Sequence, residues 1–203
     1  MSETGGIVFV VDDDEAVRDS LSLLLESASL QSQCFASADE FAEHYQGGMS
    51  GCLLLDIRMP GKSGLELRDW LDQQGAQLPI IFITGHGDVP MAVDAMKRGA
   101  IDFIQKPFSD DELLQRVQQA LESEAGDRAD RAEADRVRAN FETLTPRERE
   151  VMQQVVAGRV NKVIALDMDI SQRTVEIHRA RVMHKMGVRS VADLVRLASF
   201  LDK

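Results

Sequence analysis

Four consecutive acidic residues, Asp12, Asp13, Asp14 and Glu15, directly follow the apolar run IVFVV at residues 7–11. Like charges packed this closely repel one another, and the repulsion grows as solvent is excluded. A bound cation would offset that repulsion. Because the cluster offers only oxygen ligands, with no His or Cys at ligand spacing, it favours Mg²⁺, with Mn²⁺ as a substitute.

A simpler interpretation is that Asp14 and Glu15 begin a helix, where acidic side chains interact favourably with the helix dipole. Three residues elsewhere favour a binding site, because Asp56, Thr84 and Lys106 each end another apolar run. In an open parallel sheet covered by helices, ligands bind outside the carboxyl ends of the strands. We therefore expect these three side chains to converge with the acidic cluster in one crevice.

The first 125 residues alternate apolar runs with amphipathic segments. Near-continuous apolar strands are typical of a parallel sheet covered on both faces, so this pattern predicts a doubly wound α/β domain with five strands. The strands are expected at 7–11, 33–35, 52–56, 80–84 and 102–106. The helices are expected near 15–28, 38–46, 64–74, 90–98 and 110–123, with capping boxes at Ser37-x-x-Glu40 and Ser109-x-x-Glu112.

The rest of the chain shows only helical patterns. Residues 122–140 are rich in Ala, Glu, Asp and Arg, which predicts an exposed helical connector with Gly126 as a weak point. Flexible coil is the alternative for this segment. From residue 141 onward the pattern predicts a small all-α domain. Its helices are expected from Thr145-x-x-Glu148 to about 157, near 162–167, from Ser171 to about 186, and from Ser190-x-x-Asp193 onward.

Composition sets limits on the class of protein. At 203 residues, 44% hydrophobic and 28% charged, the chain is ordinary for a soluble globular protein of one large or two smaller domains. The start lacks the features of a signal peptide, and the apolar runs are far too short to span a membrane. Cys34 and Cys52 show no metal-site or disulfide-framework spacing, so we expect both to be reduced, in a cytoplasmic protein.

Charge divides the chain. Residues 1–125 carry 8 Lys and Arg against 22 Asp and Glu, whereas residues 141–203 carry 11 against 8. An acidic first part is thus joined to a mildly basic second part. This asymmetry is a weak indication that the second part meets nucleic acid.

The segments that end the predicted strands resemble the receiver domain of two-component response regulators. The resemblance covers residues 5–123, through VDDD (11–14), LLLDIRMPGKSG (53–64), ITG (83–85) and GAIDFIQKPF (99–108). It implies a flavodoxin-like sheet with strand order 2-1-3-4-5, and a phosphoryl group accepted on Asp56 from a sensor histidine kinase. Because strand one would then lie between the strands that carry the two cysteines, a disulfide between them is not expected.

The resemblance also implies a role for each matching residue. Asp13, Asp56 and the backbone carbonyl of Arg58 would hold Mg²⁺, and Asp12 would contact it directly or through water. Thr84 and Lys106 would bind the phosphoryl oxygens, and the ring of Phe103 would rotate toward the core after phosphorylation. The dimer contact that follows is expected on the face formed by the helix near 90–98 and the strand at 102–106, because Val93, Lys97 and Asp102 make a mixture suited to a switchable contact.

The stretch from Leu144 to Ser190 resembles the LuxR-type DNA-binding domain, and the full chain resembles the NarL/FixJ family, its FixJ-like branch in particular through TGHGDVPMAV (84–93). A supporting helix from Lys162 to Asp167 and a recognition helix from Arg173 to Met186 are implied. Glu176, Ile177 and Ala180 would face base edges. The other residues expected at the DNA, mainly at phosphates, are Lys162, Arg173, Thr174, Arg179, Arg181 and Lys185.

We therefore expect a cytoplasmic transcription regulator rather than an enzyme, with a receiver at 5–123, a helical linker at 124–140 and a DNA-binding domain at 141–203. It would dimerise when phosphorylated, bind double-stranded promoter DNA at two half-sites and act with RNA polymerase, usually to activate, without a membrane partner. Three rival hypotheses are a metal-dependent phosphatase, a nucleotide-binding regulator and a regulator that works without phosphorylation. The appended DNA-binding pattern argues against the first, and the second lacks a glycine-rich phosphate loop after strand one.

Overall fold

The apolar runs of the first half form one parallel sheet. In the computed structural model, which describes residues 6–85 and 102–201, the strand order is β2-β1-β3-β4-β5. This confirms the predicted doubly wound architecture and its strand order. The strands are β1 (Ile7–Val11), β2 (Ser32–Phe35), β3 (Gly51–Asp56), β4 (Ile80–Thr84) and β5 (Asp102–Gln105).

Helices cover both faces of this sheet. The described helices of this part are α1 (Glu15–Ser27), α2 (Ala38–His44), α3 (Gly64–Gln73) and α4 (Asp110–Glu142). Alternate strand residues enter two separate cores: Phe9 and Leu53 pack on one side, Val10 and Leu54 on the other. All six residues of β3 are buried, which explains why its sequence is apolar throughout until Asp56. The helix predicted near 90–98 lies outside the described residues.

The helix caps follow the predictions only in part. Ser37 caps α2 by accepting from the Glu40 amide, but the Glu40 carboxylate accepts from the Ala36 amide, so the reciprocal box is incomplete. A full capping box that the sequence analysis did not identify opens α3, between Ser63 and Glu66.

The two cysteines lie on either side of β1. Cys34 pairs with Val10 and Cys52 pairs with Val8, and both thiols are free. The expected absence of a bond between them follows from the strand order, because one whole strand separates the two backbones.

The described residues form two compact units, divided in the chain between Arg128 and Ala129. The second unit contains α5 (Pro146–Val156), α6 (Asn161–Asp167), α7 (Gln172–Lys185) and α8 (Val191–Ala198). Thr145 and Glu148 form the predicted capping box of α5. Gly158 and Gly187 follow α5 and α7 with positive φ angles of 77° and 69°, which glycine adopts without strain.

The division between the units falls inside α4. This helix continues without interruption from Asp110 through Gly126 to Glu142, so the segment predicted as a connector is helical here. Val137, near its end, is fully buried in the core of the second unit, and Phe141 packs against the same core. Within the described part of the chain, no helix is both long and apolar enough to cross a membrane.

Candidate functional site

The carboxyl ends of β1, β3 and β5 bring three charged side chains together. The Lys106 ammonium donates to Asp12 Oδ2 at 2.8 Å and to Asp56 Oδ1 at 3.1 Å. Asp12 is only 1% exposed and Asp56 only 7%. Lys106 is 94 residues from Asp12 and 50 from Asp56 in the sequence. The parallel sheet makes them neighbours, because it places the carboxyl ends of its strands at one edge.

Backbone hydrogen bonds fix both carboxylates. Asp56 Oδ2 accepts from the Arg58 amide at 2.7 Å, and Asp12 Oδ1 accepts from the Asp14 amide at 3.0 Å. The Lys106 amide donates to the Thr84 carbonyl at 2.7 Å, which ties the end of β5 to the end of β4. The side chains therefore sit on adjoining strand ends with little freedom to separate.

Charge compensation makes this site chemically unusual. Burial raises the pKa of Asp56, while the nearby Lys106 ammonium opposes that rise. Burial also acts to lower the pKa of Lys106, but the hydrogen bonds and charges of Asp12 and Asp56 outweigh it and the pKa is raised. The result is a buried carboxylate held beside a persistent positive charge, an arrangement suited to binding and transferring an anionic group.

The four acids at the start of α1 have different environments. Asp14 is the N-cap of α1, with its carboxylate accepting from the Ala16 amide at 2.9 Å, so the capping interpretation describes this residue. Asp12 instead faces Lys106, and Asp13 is exposed. The Arg18 guanidinium, which the sequence analysis did not single out, donates to the Asp12 carbonyl at 2.7 Å.

A divalent cation would find oxygen donors here. Among residues 6–85 and 102–201, no three His, Cys, Asp or Glu side chains lie close enough together to hold a metal ion. The two carboxylates that do converge, Asp12 and Asp56, nonetheless make a donor set of oxygens only. That chemistry fits Mg²⁺, which takes few protein carboxylates and keeps several waters.

Three of the residues predicted to take part in the switch lie on β4 and β5: Thr84 ends β4, and Asp102 and Phe103 begin β5. Thr84 is buried, and its hydroxyl donates to the Gly85 carbonyl at 3.4 Å. Phe103 pairs with Phe82 in the sheet and is partly buried against the core. Asp102 accepts from the Phe103 amide and forms an ion pair with Arg116. The other two predicted dimer residues, Val93 and Lys97, lie outside the described residues.

Gly64, the first residue of α3, is a further residue of the site. Its amide donates to the Ile57 carbonyl at 3.0 Å, which brings the start of α3 against the end of β3. A Cβ atom at Gly64 would lie 2.2 Å from the Asp56 backbone oxygen. Only glycine therefore allows α3 to begin so close to Asp56 without displacing it.

The second unit presents an exposed stripe on α7. Ser171 caps this helix, while Val175 and Val182 anchor its opposite face in the core. Ile177, a large apolar residue, is 46% exposed in the middle of the stripe. The other exposed residues predicted to contact DNA on this helix are Arg173, Glu176, Ala180 and Arg181.

Three other predicted DNA contacts have partners within the protein. The hydroxyl groups of Thr174 and Ser171 are hydrogen-bonded at 2.7 Å, and Arg179 donates to the Asn161 side chain at 2.7 Å. Lys185 donates to the Glu148 carboxylate at 2.7 Å and to the Thr143 carbonyl at 2.9 Å. Lys162 is exposed, and it lines an open pocket together with Arg179.

Two known protein families match separate parts of this chain. Residues 8–118 match the response regulator receiver domain, and residues 142–198 match the bacterial regulatory proteins of the luxR family. The chain is 44% identical over 201 residues to the response regulator protein TodT of Pseudomonas putida, covering 99% of this chain and 88% of that protein. It is 46% identical over 195 residues to the transcriptional regulatory protein FixJ of Bradyrhizobium diazoefficiens, covering 96% of this chain and 95% of that protein.

Solved structures show the same likeness over the whole length. The response regulator StyR matches with a TM-score of 0.85 at 46% identity, covering 95% of this chain and 98% of that one. Full-length FixJ from B. japonicum matches with a TM-score of 0.62 at 45% identity, covering 97% of each chain.

Proposed function

The chain belongs to the response regulators that join a receiver domain to a LuxR-type DNA-binding domain, and from this premise we propose that Asp56 is its phosphoacceptor. Regulators of this kind control transcription in response to phosphorylation by a sensor kinase. The observation that supports Asp56 is its place: it is a buried carboxylate at the end of β3, 3.1 Å from the Lys106 ammonium.

In the proposed reaction an Asp56 oxygen forms a bond to phosphorus, while the bond from phosphorus to the histidine of a sensor kinase breaks. Bound Mg²⁺, with Mn²⁺ as a substitute, would be held by Asp13, Asp56 and the Arg58 carbonyl, with Asp12 directly or through water, and would screen the incoming negative charge. Lys106, already within hydrogen-bond distance of Asp56, would pair with the phosphoryl oxygens.

The phosphoryl group would also draw the Thr84 hydroxyl toward it. Thr84 and Phe103 lie on neighbouring strands, and Phe103 is partly buried against the core. The inward movement of the Thr84 hydroxyl would leave room for the Phe103 ring to rotate toward the core. Such a two-position aromatic side chain is a bistable element that converts a local charge change into a change of surface.

We propose that the new surface, with Val93, Lys97 and Asp102, supports a homodimer that binds two half-sites of promoter DNA in the cytoplasm. The exposed stripe of α7 would enter the major groove, with Glu176, Ile177 and Ala180 at base edges. Contact with RNA polymerase, and activation rather than repression, complete the proposal.

The test of the phosphoacceptor uses a small phosphodonor and Mg²⁺ with the full chain. Mass spectrometry should find one phosphoryl group on the wild type and none on Asp56→Asn. The matched control is Asp14→Asn, because asparagine caps helices as well as aspartate does and the Asp14 carboxylate accepts from the Ala16 amide at the start of α1. Phosphate on Asp56→Asn at the wild-type level would refute the assignment.

Dimerisation has its own measurement. Sedimentation of the wild type should shift from monomer toward dimer when the phosphodonor is added, and Asp56→Asn should not respond. An identical monomer fraction in the wild type with and without phosphodonor would contradict the proposed switch.

A further inference from the structure

The Lys185 ammonium, at the end of the proposed recognition helix, has two acceptors inside the second unit. It donates to Glu148 Oε2 at 2.7 Å and to the Thr143 carbonyl at 2.9 Å. Glu148 is 2% exposed, although it is charged and lies in the first turn of α5. A buried carboxylate needs a partner of opposite charge, and Lys185 is the cation within reach in the described part of the chain.

The same Glu148 oxygen also accepts from the Thr145 amide at 2.9 Å. One carboxylate therefore completes the capping box of α5 and holds the last turn of α7. Lys185 is 37 residues from Glu148 in the sequence, whereas Thr145 is only 3 residues away. This single carboxylate therefore takes part in both a local helix cap and a tertiary contact.

The segment between α4 and α5 is bound by cations at three successive carbonyl groups. Lys185 binds that of Thr143, and Arg149 donates to those of Leu144 and Glu142 at 3.2 and 3.3 Å. The last turn of α4 contains no basic residue of its own, and Arg149 satisfies the carbonyl group of its last residue, Glu142, while the Thr143 and Leu144 amides donate to the Asn140 and Phe141 carbonyl groups. Both hydrogen-bond acceptors of Lys185, the Glu148 carboxylate and the Thr143 carbonyl, therefore belong to the protein itself.

We propose that Lys185 is a positioning residue for DNA recognition: through Glu148 and the Thr143 carbonyl it fixes the recognition helix α7 to the start of α5 and the end of α4. It is then not a phosphate contact, in contrast to the expectation from the sequence. This inference rests on the proposed DNA-binding function and assigns part of its specificity to two residues away from the exposed stripe.

Replacing Glu148 tests the inference, because the two possible roles of Lys185 predict opposite changes in DNA affinity. If Lys185 bound phosphate, removing the neighbouring negative charge would free it and strengthen binding to all DNA. If Lys185 positions the helix, the same change loosens α7 and weakens recognition of a specific sequence. Glu148→Gln suits this test because its amide oxygen can still accept from the Thr145 amide, which preserves the cap.

The experiment uses the full chain and two DNA duplexes: one that the wild type selects from a random-sequence pool, and one of scrambled sequence. The variants are Lys185→Met, Glu148→Gln and the two combined. The matched controls are Arg181→Met, an exposed cation on the same helix, and Glu150→Gln, an acid on α5 that pairs with exposed Arg147. Affinity is measured over a salt series, after circular dichroism and urea unfolding have established the fraction folded.

Lys185→Met, which loses a hydrogen bond to a charged group, should lower the preference for the selected duplex by about tenfold, and Glu148→Gln, which loses the charge but keeps an acceptor oxygen, should lower it by about threefold. The double variant should lose no more than Lys185→Met alone, because both substitutions remove the same ion pair. Neither should change the salt dependence, whereas Arg181→Met should reduce the log–log slope by about 0.9. Lys185→Arg, which can still reach Glu148, should retain most of the preference, and Glu150→Gln should retain all of it.

The inference is overturned if Lys185→Met flattens the salt dependence as much as Arg181→Met does, or if Glu148→Gln binds both duplexes as well as or better than the wild type. A Lys185→Arg variant that is fully folded but loses as much preference as Lys185→Met also overturns it. A wild type that selects no duplex from the pool refutes the proposed DNA-binding function instead.

Discussion

At the scale of single residues, Lys106 accounts for how Asp12 and Asp56 can be buried together. Two carboxylates in one crevice repel each other, and the ammonium between them offsets that repulsion. A phosphoryl group added to Asp56 would bring further negative charge to the same ammonium. Lys106 would then have a stronger acceptor than either carboxylate. Phosphorylation of one atom on β3 would therefore change the hydrogen bonds that join Asp12, Asp56 and Lys106 at the ends of β1, β3 and β5.

The close approach of Gly64 to Asp56 gives a prediction at the same scale. Gly64→Ala places a methyl group 2.2 Å from the Asp56 backbone oxygen, so the loop must shift. We expect the free energy of unfolding of the first unit to fall by about 1–3 kcal/mol, with slower phosphorylation of Asp56. Urea unfolding and phosphodonor kinetics measure the two effects.

Gly126→Ala is the matched control for this substitution. A Cβ atom there meets nothing within 4 Å, and the position is helical. Its unfolding free energy should rise by about 0.5–1 kcal/mol, because alanine loses less conformational entropy than glycine in a helix. Gly64→Ala with unchanged stability and unchanged phosphorylation would show that the loop adapts freely.

At the scale of elements, the cap of α5 predicts a dependence of stability on pH. Hydrogen bonds from Lys185 and from the Thr145 amide lower the pKa of Glu148 from 4.5 to about 2. The folded state therefore holds this carboxylate ionised more strongly than the unfolded state does. The stabilisation is complete above pH 4.5 and is lost as pH falls toward 2.

Urea unfolding at a series of pH values should show this loss in the wild type and a flatter profile in Glu148→Gln. The two proteins should differ most near neutral pH and converge near pH 2. Glu150→Gln should follow the wild type at every pH. A constant difference between the wild type and Glu148→Gln across the series would argue against the lowered pKa.

The end of α4 gives a second prediction for an element. Val137 is fully buried in the second core, so Val137→Ala should lower the unfolding free energy of the second unit by about 1.5–3 kcal/mol. Arg138→Ala, next to it but exposed, should change stability little, since its ion pair with Asp135 is at the surface. Equal effects of the two substitutions would mean that α4 contributes no packing to this unit.

Much of the fold followed from sequence because strands such as β1 and β3 are buried on both faces and are apolar almost throughout. The convergence of Asp12, Asp56 and Lys106 followed in turn from the parallel sheet, which places all strand ends at one edge. The Lys185–Glu148 contact could not be found this way, because 37 residues separate the partners and no spacing rule connects them. Val137 was missed for a related reason: one apolar residue among many charged ones makes no periodic pattern.

At the scale of the whole molecule, charge separates the two units. Residues 1–128 carry 9 Lys and Arg against 23 Asp and Glu, whereas residues 129–203 carry 14 against 11. DNA is repelled by the first unit and attracted by the second. The affinity of the full chain for DNA therefore contains an unfavourable contribution from its own acidic part.

A fragment of residues 129–203 should consequently bind DNA several-fold more tightly than the unphosphorylated full chain at low salt. The advantage should shrink as salt rises from about 0.05 to 0.3 M, because the charges of the first unit are then screened over shorter distances. Equilibrium binding of both proteins to one duplex over that range measures the difference. An advantage that stays constant with salt would have a cause other than charge.

The aromatic residues have a practical consequence for such measurements. The chain has one tryptophan, Trp70, and one tyrosine, Tyr45. Both lie in the first unit, and their ring centroids are 5.8 Å apart. The Lys62 ammonium, on the loop that follows Asp56, is 5.8 Å from the indole ring. Indole fluorescence therefore reports on the first unit alone and includes the loop beside the phosphoacceptor, while helical ellipticity reports on both units. Recording the two signals in one titration separates the unfolding of each unit without cutting the chain or adding a label.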